Sequence, residues 1–254
     1  ASCMAEHKLD EPVIGVALDG TGYGDDGKIW GGEFMLCDLS GYERYGFFDY
    51  VAMPGGDKAV QEPWRMGLSY LYRAFGEEVH RLNLQFLSGK RTEDVRLILS
   101  MIKKGINSPL TSSAGRLFDA VSAMLNLCSI SGFDAEAPMK LESLVNPEVQ
   151  VHYPFSIRQG RIDFIPSIQE VVRDICRKEP PGEIAAKFHN TVARTVLEMA
   201  QRAGWETGRN KVVLSGGTFQ NRYLSETTAR LLRERDFEVF QNKRVPANDG
   251  GIAL

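Results

Sequence analysis

Cysteine is scarce and unpatterned. Cys3, Cys37, Cys128 and Cys176 are the four in 254 residues, and no two form a CxxC pair, which excludes a zinc ribbon, a thioredoxin-type redox motif and a disulfide-stapled scaffold. Reduced thiols in a cytoplasmic setting, serving as small apolar filler, are the expectation. His7, His80, His152 and His189 show no metal-ligand spacing among themselves, and no Ser/His/Asp order stands out. His189 reads as a satisfied core or interface residue of a long helix. No run of about 18 apolar residues is present, so no membrane-spanning helix is expected. Thirty basic against 33 acidic side chains give a net charge of −3, without the basic excess of a non-specific nucleic-acid binder.

What remains is a core-forming chain. With 43% hydrophobic and 25% charged residues it has an ordinary globular composition. The apolar, partly β-branched run 13–18 stops at Asp19 and reads as a strand followed by a turn. Asp26-Gly27 is a hairpin dipeptide because both turn positions favour positive φ, so 28–37 is expected to return antiparallel to the first strand. A third strand over about 46–51 completes a meander. After the loop Met53-Pro54-Gly55-Gly56-Asp57, helical spacing takes over at 64–82 and 92–104, the latter with Thr92 as N-cap and Glu93 and Asp94 in its first turn.

Ser112-Ser113-Ala114-Gly115 opens a further helix that turns Leu117, Val121 and Leu125 inward. Gly160 marks a hairpin, Ser167 caps a helix ending near Cys176, and Pro180-Pro181 precedes an amphipathic helix over 183–203 that Gly204 closes. The buried strand 211–214 runs straight into Ser215-Gly216-Gly217, where the pattern turns helical, and a last helix and strand occupy about 224–240. Hairpins first and β-to-helix alternation last imply an α/β fold with a mainly helical insertion at about 58–182. Residues 1–8 read as the last turns of a helix already under way, and 250–254 as the start of another, the pattern of a fragment.

Two places combine a strand end, glycines and a polar side chain: 19–24 and 215–217. Glycines there let backbone N–H groups approach a phosphate, and a following helix N-terminus favours an anion. Neither fits the P-loop pattern. Asp19 and Asp249 each end an apolar strand or loop and precede glycine, positions from which a carboxylate can reach a metal. Tight packing at the glycines and turn capping by the two aspartates account for the same residues without any ligand.

The motifs Leu18-Asp19-Gly20-Thr21-Gly22-Tyr23-Gly24, Met53-Pro54-Gly55-Gly56-Asp57 with Pro63-Trp64-Arg65, Ser112 through Val121, Ser215-Gly216-Gly217 with Asn221, and Pro246-Ala247-Asn248-Asp249-Gly250-Gly251 occur in one order over nearly the whole chain. In that order they resemble the Kae1-like domain of HypF, the carbamoyltransferase family of nickel–iron hydrogenase maturation. The resemblance implies an actin-like ATPase fold (ASKHA, RNase H-like). Residues 1–12 would end a helix of a preceding lobe, and 13–254 would form the second lobe.

It further implies that Gly20, Thr21 and Gly22 belong to a phosphate-binding hairpin and that Ser215, Gly216, Gly217 and Asn221 form an adenosine motif. Gly115, Arg116 and Asp119 would line the nucleotide's sugar. Asp19 and Asp249 would be the catalytic pair and ligands of a divalent metal (zinc, iron or magnesium), a set the family completes with two histidines on a helix that would precede Ala1. Gly55, Gly56, Asp57 and Arg65 would touch the adenylate or a partner peptide, or form only a structural loop.

In the family, ATP and carbamoyl phosphate become carbamoyl adenylate in a YrdC-like domain. The Kae1-like domain then passes the carbamoyl group to the C-terminal cysteine thiol of HypE, where dehydration gives a thiocyanate destined to become a cyanide ligand of iron. The expected partners are therefore HypE and the YrdC-like and other domains of a longer chain, with neither membrane nor nucleic acid. Rival readings are a tRNA threonylcarbamoyl transferase or an O-carbamoyltransferase of the same fold, and a non-catalytic module that docks HypE. Gly115-Arg116 departs from the tRNA-modifying pattern, in which an acidic residue follows the glycine.

Overall fold

Period-two alternation decides which side of the sheet each residue of the first strand serves. In the computed structural model, which describes residues 1–82 and 84–248, β1 (Val13–Tyr23) sends Ile14, Val16 and Leu18 into the main core. Val13, on the other side, meets Cys3, Met4, Leu9 and Val213 in a smaller core built on α1 (Ser2–Glu6).

β2 (Ile29–Cys37) and β3 (Tyr42–Phe48) complete an antiparallel meander with β1, and the short β4 (Val51–Ala52) follows. Next come α2 (Lys58–Gln61), α3 (Trp64–Phe75), a 3-10 segment Gly76–Arg81, α4 (Gln85–Ser88) and α5 (Thr92–Lys104). β5 (Leu110–Thr111) leads into α6 (Ala114–Met124), then α7 (Glu136–Ser143) and the hairpin of β6 (Ser156–Arg158) and β7 (Arg161–Asp163). After α8 (Ile165–Arg177) and α9 (Pro181–Thr207), the order is β8 (Lys211–Ser215), a 3-10 segment Gly217–Gln220, α10 (Arg222–Arg233) and β9 (Glu238–Gln241).

Among the described residues the strands make one mixed sheet in the order β6-β7-β3-β2-β1-β8-β9, with β4 and β5 beside β2. β8 runs parallel to β1, pairing Ile14 with Val212 and Ala17 with Ser215, so β8 ends beside Ala17, two residues before Asp19. This is the α/β architecture expected of an actin-like lobe. Residues 58–182 add three strands to the sheet along with their helices.

α6 and α9 pack together at Phe118 and Phe188, whose ring centroids are 4.9 Å apart at an edge-to-face angle. Phe118, Phe188, Val192 and Val196 are all fully buried, each contributing about 1.5–3 kcal/mol of transfer free energy. Among the described residues no helix is long and apolar enough to cross a membrane.

Several local expectations are corrected. The first strand does not stop at Asp19 but runs through Gly20, Thr21 and Gly22 to Tyr23, because the register shift between Leu18 and Gly22 absorbs the glycines as a bulge. The hairpin is not a two-residue turn at Asp26-Gly27. It is a longer loop in which Gly24 N donates to Lys28 O and Gly27 N to Gly24 O, and of the dipeptide only Gly27 has positive φ, at +72°. The third strand lies earlier, and the helix at 64–82 changes to 3-10 geometry at Gly76.

Thr92 is the first residue of α5 rather than its cap, and Arg91 precedes it, its guanidinium bonded to Asp94. Ser167 lies inside α8 and donates its hydroxyl to Pro154 O instead of capping. Gly204 is helical, and α9 is closed by Gly208 at φ +72°.

Candidate functional site

Three segments meet more closely than side chains allow. A Cβ on Gly115 would lie 2.9 Å from Gly20 Cα, and one on Gly31 would lie 2.6 Å from Asp19 O. Gly216, at φ +100°, would place a Cβ 2.2 Å from Leu18 O. Ser113 ties the junction. Its hydroxyl proton is shared between Asp19 O and Gly20 O, at 2.9 and 2.8 Å, while its oxygen accepts from Arg116 N and caps α6.

These contacts shape a cleft with a volume of about 550 Å³. β1 supplies Asp19, Gly20 and Thr21, α2 supplies Val60, and α6 supplies Gly115, Arg116 and Phe118. Gly217, Thr218, Gln220 and Asn221 follow β8, and Asn248 closes one side. The opposite wall is Asp134, Ala135, Pro138, Met139 and Glu142. Two helices, α6 and α10, begin at the cleft, so their positive ends face it.

Of the residues singled out in sequence, Asp19, Gly20, Thr21, Gly115, Arg116, Gly217 and Asn221 are brought together here. Others are not. Gly22 lies beyond the bulge, paired with Trp30, and Ser215 and Gly216 form the floor behind, where Gly216 packs on Leu18. Asp119 is 2% exposed and does not line the wall, because α6 turns it inward beneath Arg116. Gly55, Gly56 and Asp57 form a separate loop, with Arg65 on α3 beside it, and none of the four lines the cleft. There Arg65 Nε binds Glu62 at 2.5 Å, and Gly55 N donates to Asn107 O. Asp249 lies outside the described residues, next to Asn248.

Arg116 is the cation of the cleft lining, against the carboxylates of Asp19, Asp134 and Glu142. Arg116 Nε sits 2.7 Å from Asp119 Oδ2. Burial raises the Asp119 pKa to about 6, because desolvation of the carboxylate outweighs the attraction of Arg116. Asp19 Oδ1 accepts from Gly20 N at 2.7 Å, and Glu142 Oε1 accepts from Tyr223 N at 3.1 Å.

Behind Asn221 lies His189, fully buried, its pKa pushed down to about 4 by desolvation. The expectation of a satisfied core histidine holds, since both ring nitrogens have partners.

Among the described residues no group of three or more His, Cys, Asp or Glu stands ready to hold a metal ion. Asp19 is a single carboxylate, so the described residues do not by themselves make the implied metal site.

The wall at 134–142 went unread in sequence, although a signal for it exists. Glu136 and Lys140 form an i,i+4 ion pair at 2.7 Å, and Ala137 and Leu141 are buried at the same spacing. Together these mark a short amphipathic helix.

Comparison with known proteins bears on this geometry. A family model described as "Carbamoyltransferase, Kae1-like Domain, second subdomain" matches residues 15–254. The chain belongs to the HypF family. A carbamoyltransferase HypF of Rhizobium leguminosarum bv. viciae is 36% identical over 255 residues, covering 100% of this chain and 32% of that protein. The HypF of Rhodobacter capsulatus is 37% identical over 259 residues, covering 100% of this chain and 33% of that one.

A crystal structure of a full-length HypF in a phosphate- and nucleotide-bound form superposes with a TM-score of 0.92 at 40% identity. It covers 99% of this chain and 40% of that one. The chain thus spans about a third of the length of these two curated HypF relatives.

Proposed function

We propose that this chain is the second lobe of a Kae1-like domain, with a helical insertion at 58–182, and that its cleft holds the adenylate during carbamoyl transfer in the cytoplasm. The observation that carries this reading is the meeting of Asp19-Gly20, Gly115-Arg116 and Gly217 at one cleft through close backbone contact. Side chains are removed at the contact points, so the peptide groups and two helix starts face the ligand directly. Arg116, held by Asp119, supplies a fixed guanidinium for the phosphate, and Gly217 with Asn221 receives the nucleoside.

In the reaction, a thiol offered by the C-terminal cysteine of HypE attacks the carbamoyl carbon of carbamoyl adenylate. A C–S bond forms as the C–O bond to the phosphate breaks, AMP leaves and the thiol proton passes to solvent. The carbamoyl group arrives from carbamoyl phosphate and ATP through a YrdC-like domain elsewhere in the longer protein. This chain contributes binding and orientation, which for a held pair of reactants account for much of the barrier lowering.

Calorimetric titration with AMP and ATP tests the reading. We expect binding in the wild type that weakens about tenfold in Arg116→Gln, the range for a lost charged contact. Binding indifferent to this change would leave a docking module for HypE and remove the cleft from the chemistry.

A further inference from the structure

Among the described residues, His189 is a buried titratable group that touches the cleft wall without a part in the proposed reaction. Its Nδ1 lies 2.7 Å from Ala185 O, which can only accept, so Nδ1 carries the hydrogen. The neutral ring then leaves Nε2 as a lone pair, 2.9 Å from Asn221 Nδ2. Asn221 Oδ1 accepts from Leu224 N at 2.8 Å and caps α10. Both ends of the amide are thereby assigned by their partners, with no freedom to flip. The rings of Phe118, Phe188 and Tyr223 stand edge-on around the imidazole and fix its plane.

We propose that His189 is a positioning residue for ligand binding: by accepting one N–H of Asn221, it makes the second N–H the group that this amide offers to an acceptor on a nucleotide. The inference rests on the nucleotide reading of the cleft. It means that Asn221 discriminates by donating, and that the choice is made one layer behind the surface, on α9. Without His189 the amide is held at its oxygen alone, by Leu224 N, and can pivot about that bond so that its second N–H no longer points at the ligand.

Two substitutions separate this role from mere packing. The amide of an asparagine side chain overlays Nδ1 of histidine, and that of a glutamine overlays Nε2. His189→Asn therefore keeps the donor to Ala185 O and loses the acceptor for Asn221, whereas His189→Gln restores that acceptor. Titrating AMP into the wild-type protein and both variants, we expect about tenfold weaker binding for His189→Asn and a change under about threefold for His189→Gln, the scale of one buried hydrogen bond. Thermal unfolding of the three proteins reports packing separately.

If the wild type binds AMP and the two variants bind it alike, this inference falls and the nucleotide reading stands. If the wild type binds no AMP, the nucleotide reading falls and takes the inference with it. Should His189→Asn not fold, the ring ¹⁵N shifts of His189 in the wild type decide: a hydrogen on Nδ1 alone supports the assignment, and a hydrogen on Nε2 overturns it.

Discussion

Two segments of this chain look alike on paper, each pairing glycines with an aspartate: Asp19-Gly20 on β1 and Gly55-Gly56-Asp57 in the loop before α2. They use glycine for different physical reasons. Gly55 and Gly56 have φ of +95° and +57°, the left-handed region that favours glycine, and their N–H groups are spent on Asn107 O and Met53 O. Gly20 is extended within β1, where a Cβ of its own would meet only Arg116 Nη2 at 3.8 Å; the steric demand falls on its partner, since a Cβ on Gly115 would lie 2.9 Å from Gly20 Cα. Conformational glycine builds a self-contained loop, whereas steric glycine lets chain segments converge and leaves a cleft. Only the second arrangement gives a ligand access to peptide groups.

The comparison breaks most visibly at Gly216, which combines both demands. Gly216→Ala would need φ +100° and a Cβ 2.2 Å from Leu18 O, so we expect a loss of at least about 3 kcal/mol in denaturant unfolding, the range for combined strain and overpacking. A loss under about 1 kcal/mol, as for an ordinary surface change, would mean that the β1–β8 floor is not held this tightly.

A smaller effect sharpens the electrostatic side. Burial raises the Asp119 pKa from 3.8 to about 6, so between these values the native state binds a proton that the unfolded chain does not. The corresponding stability is fully present below 3.8 and lost as pH rises through about 6. The difference between wild type and Asp119→Asn should therefore change across that window by an amount on the order of 1–3 kcal/mol, and a flat difference would mean that the attraction of Arg116 cancels the desolvation of the carboxylate. The loop has no such buried pair, since its Arg65 and Glu62 are both partly exposed.

The order of strands and helices was legible because each rests on local periodicity: Val13, Ile14, Val16 and Leu18 on one strand, Phe188, Val192 and Val196 on one helix. The motif residues of the cleft were legible through family resemblance. Less legible was how far each element runs. Gly20 and Gly22 carry a turn signal, yet pairing with β2 through a bulge overrides it, as tertiary contact overrides local propensity elsewhere.

Asp119 misled for a related reason. Its place in a motif says that it matters to the site, but only the phase of α6 reveals that it faces Arg116 from below. Gly204 and Ser167 look like helix ends by residue type, and both lie inside helices that run on past them. The wall at 134–142 carried signal in Glu136, Ala137, Lys140 and Leu141, spread over too few turns to stand out beside the glycine motifs.

The most direct test of the central claim is AMP affinity, measured by calorimetry, in Gly115→Ala and Gly55→Ala side by side. Each adds one methyl group to a glycine-rich segment, the first at the close approach to Gly20, the second at a strained loop position where Arg65 is the nearest neighbour. If the cleft is the nucleotide site, Gly115→Ala lowers affinity by about tenfold or more while Gly55→Ala stays within about twofold of wild type, whatever each costs in stability. Equal losses in both, or a loss confined to Gly55→Ala, would contradict the assignment and move the ligand to the loop.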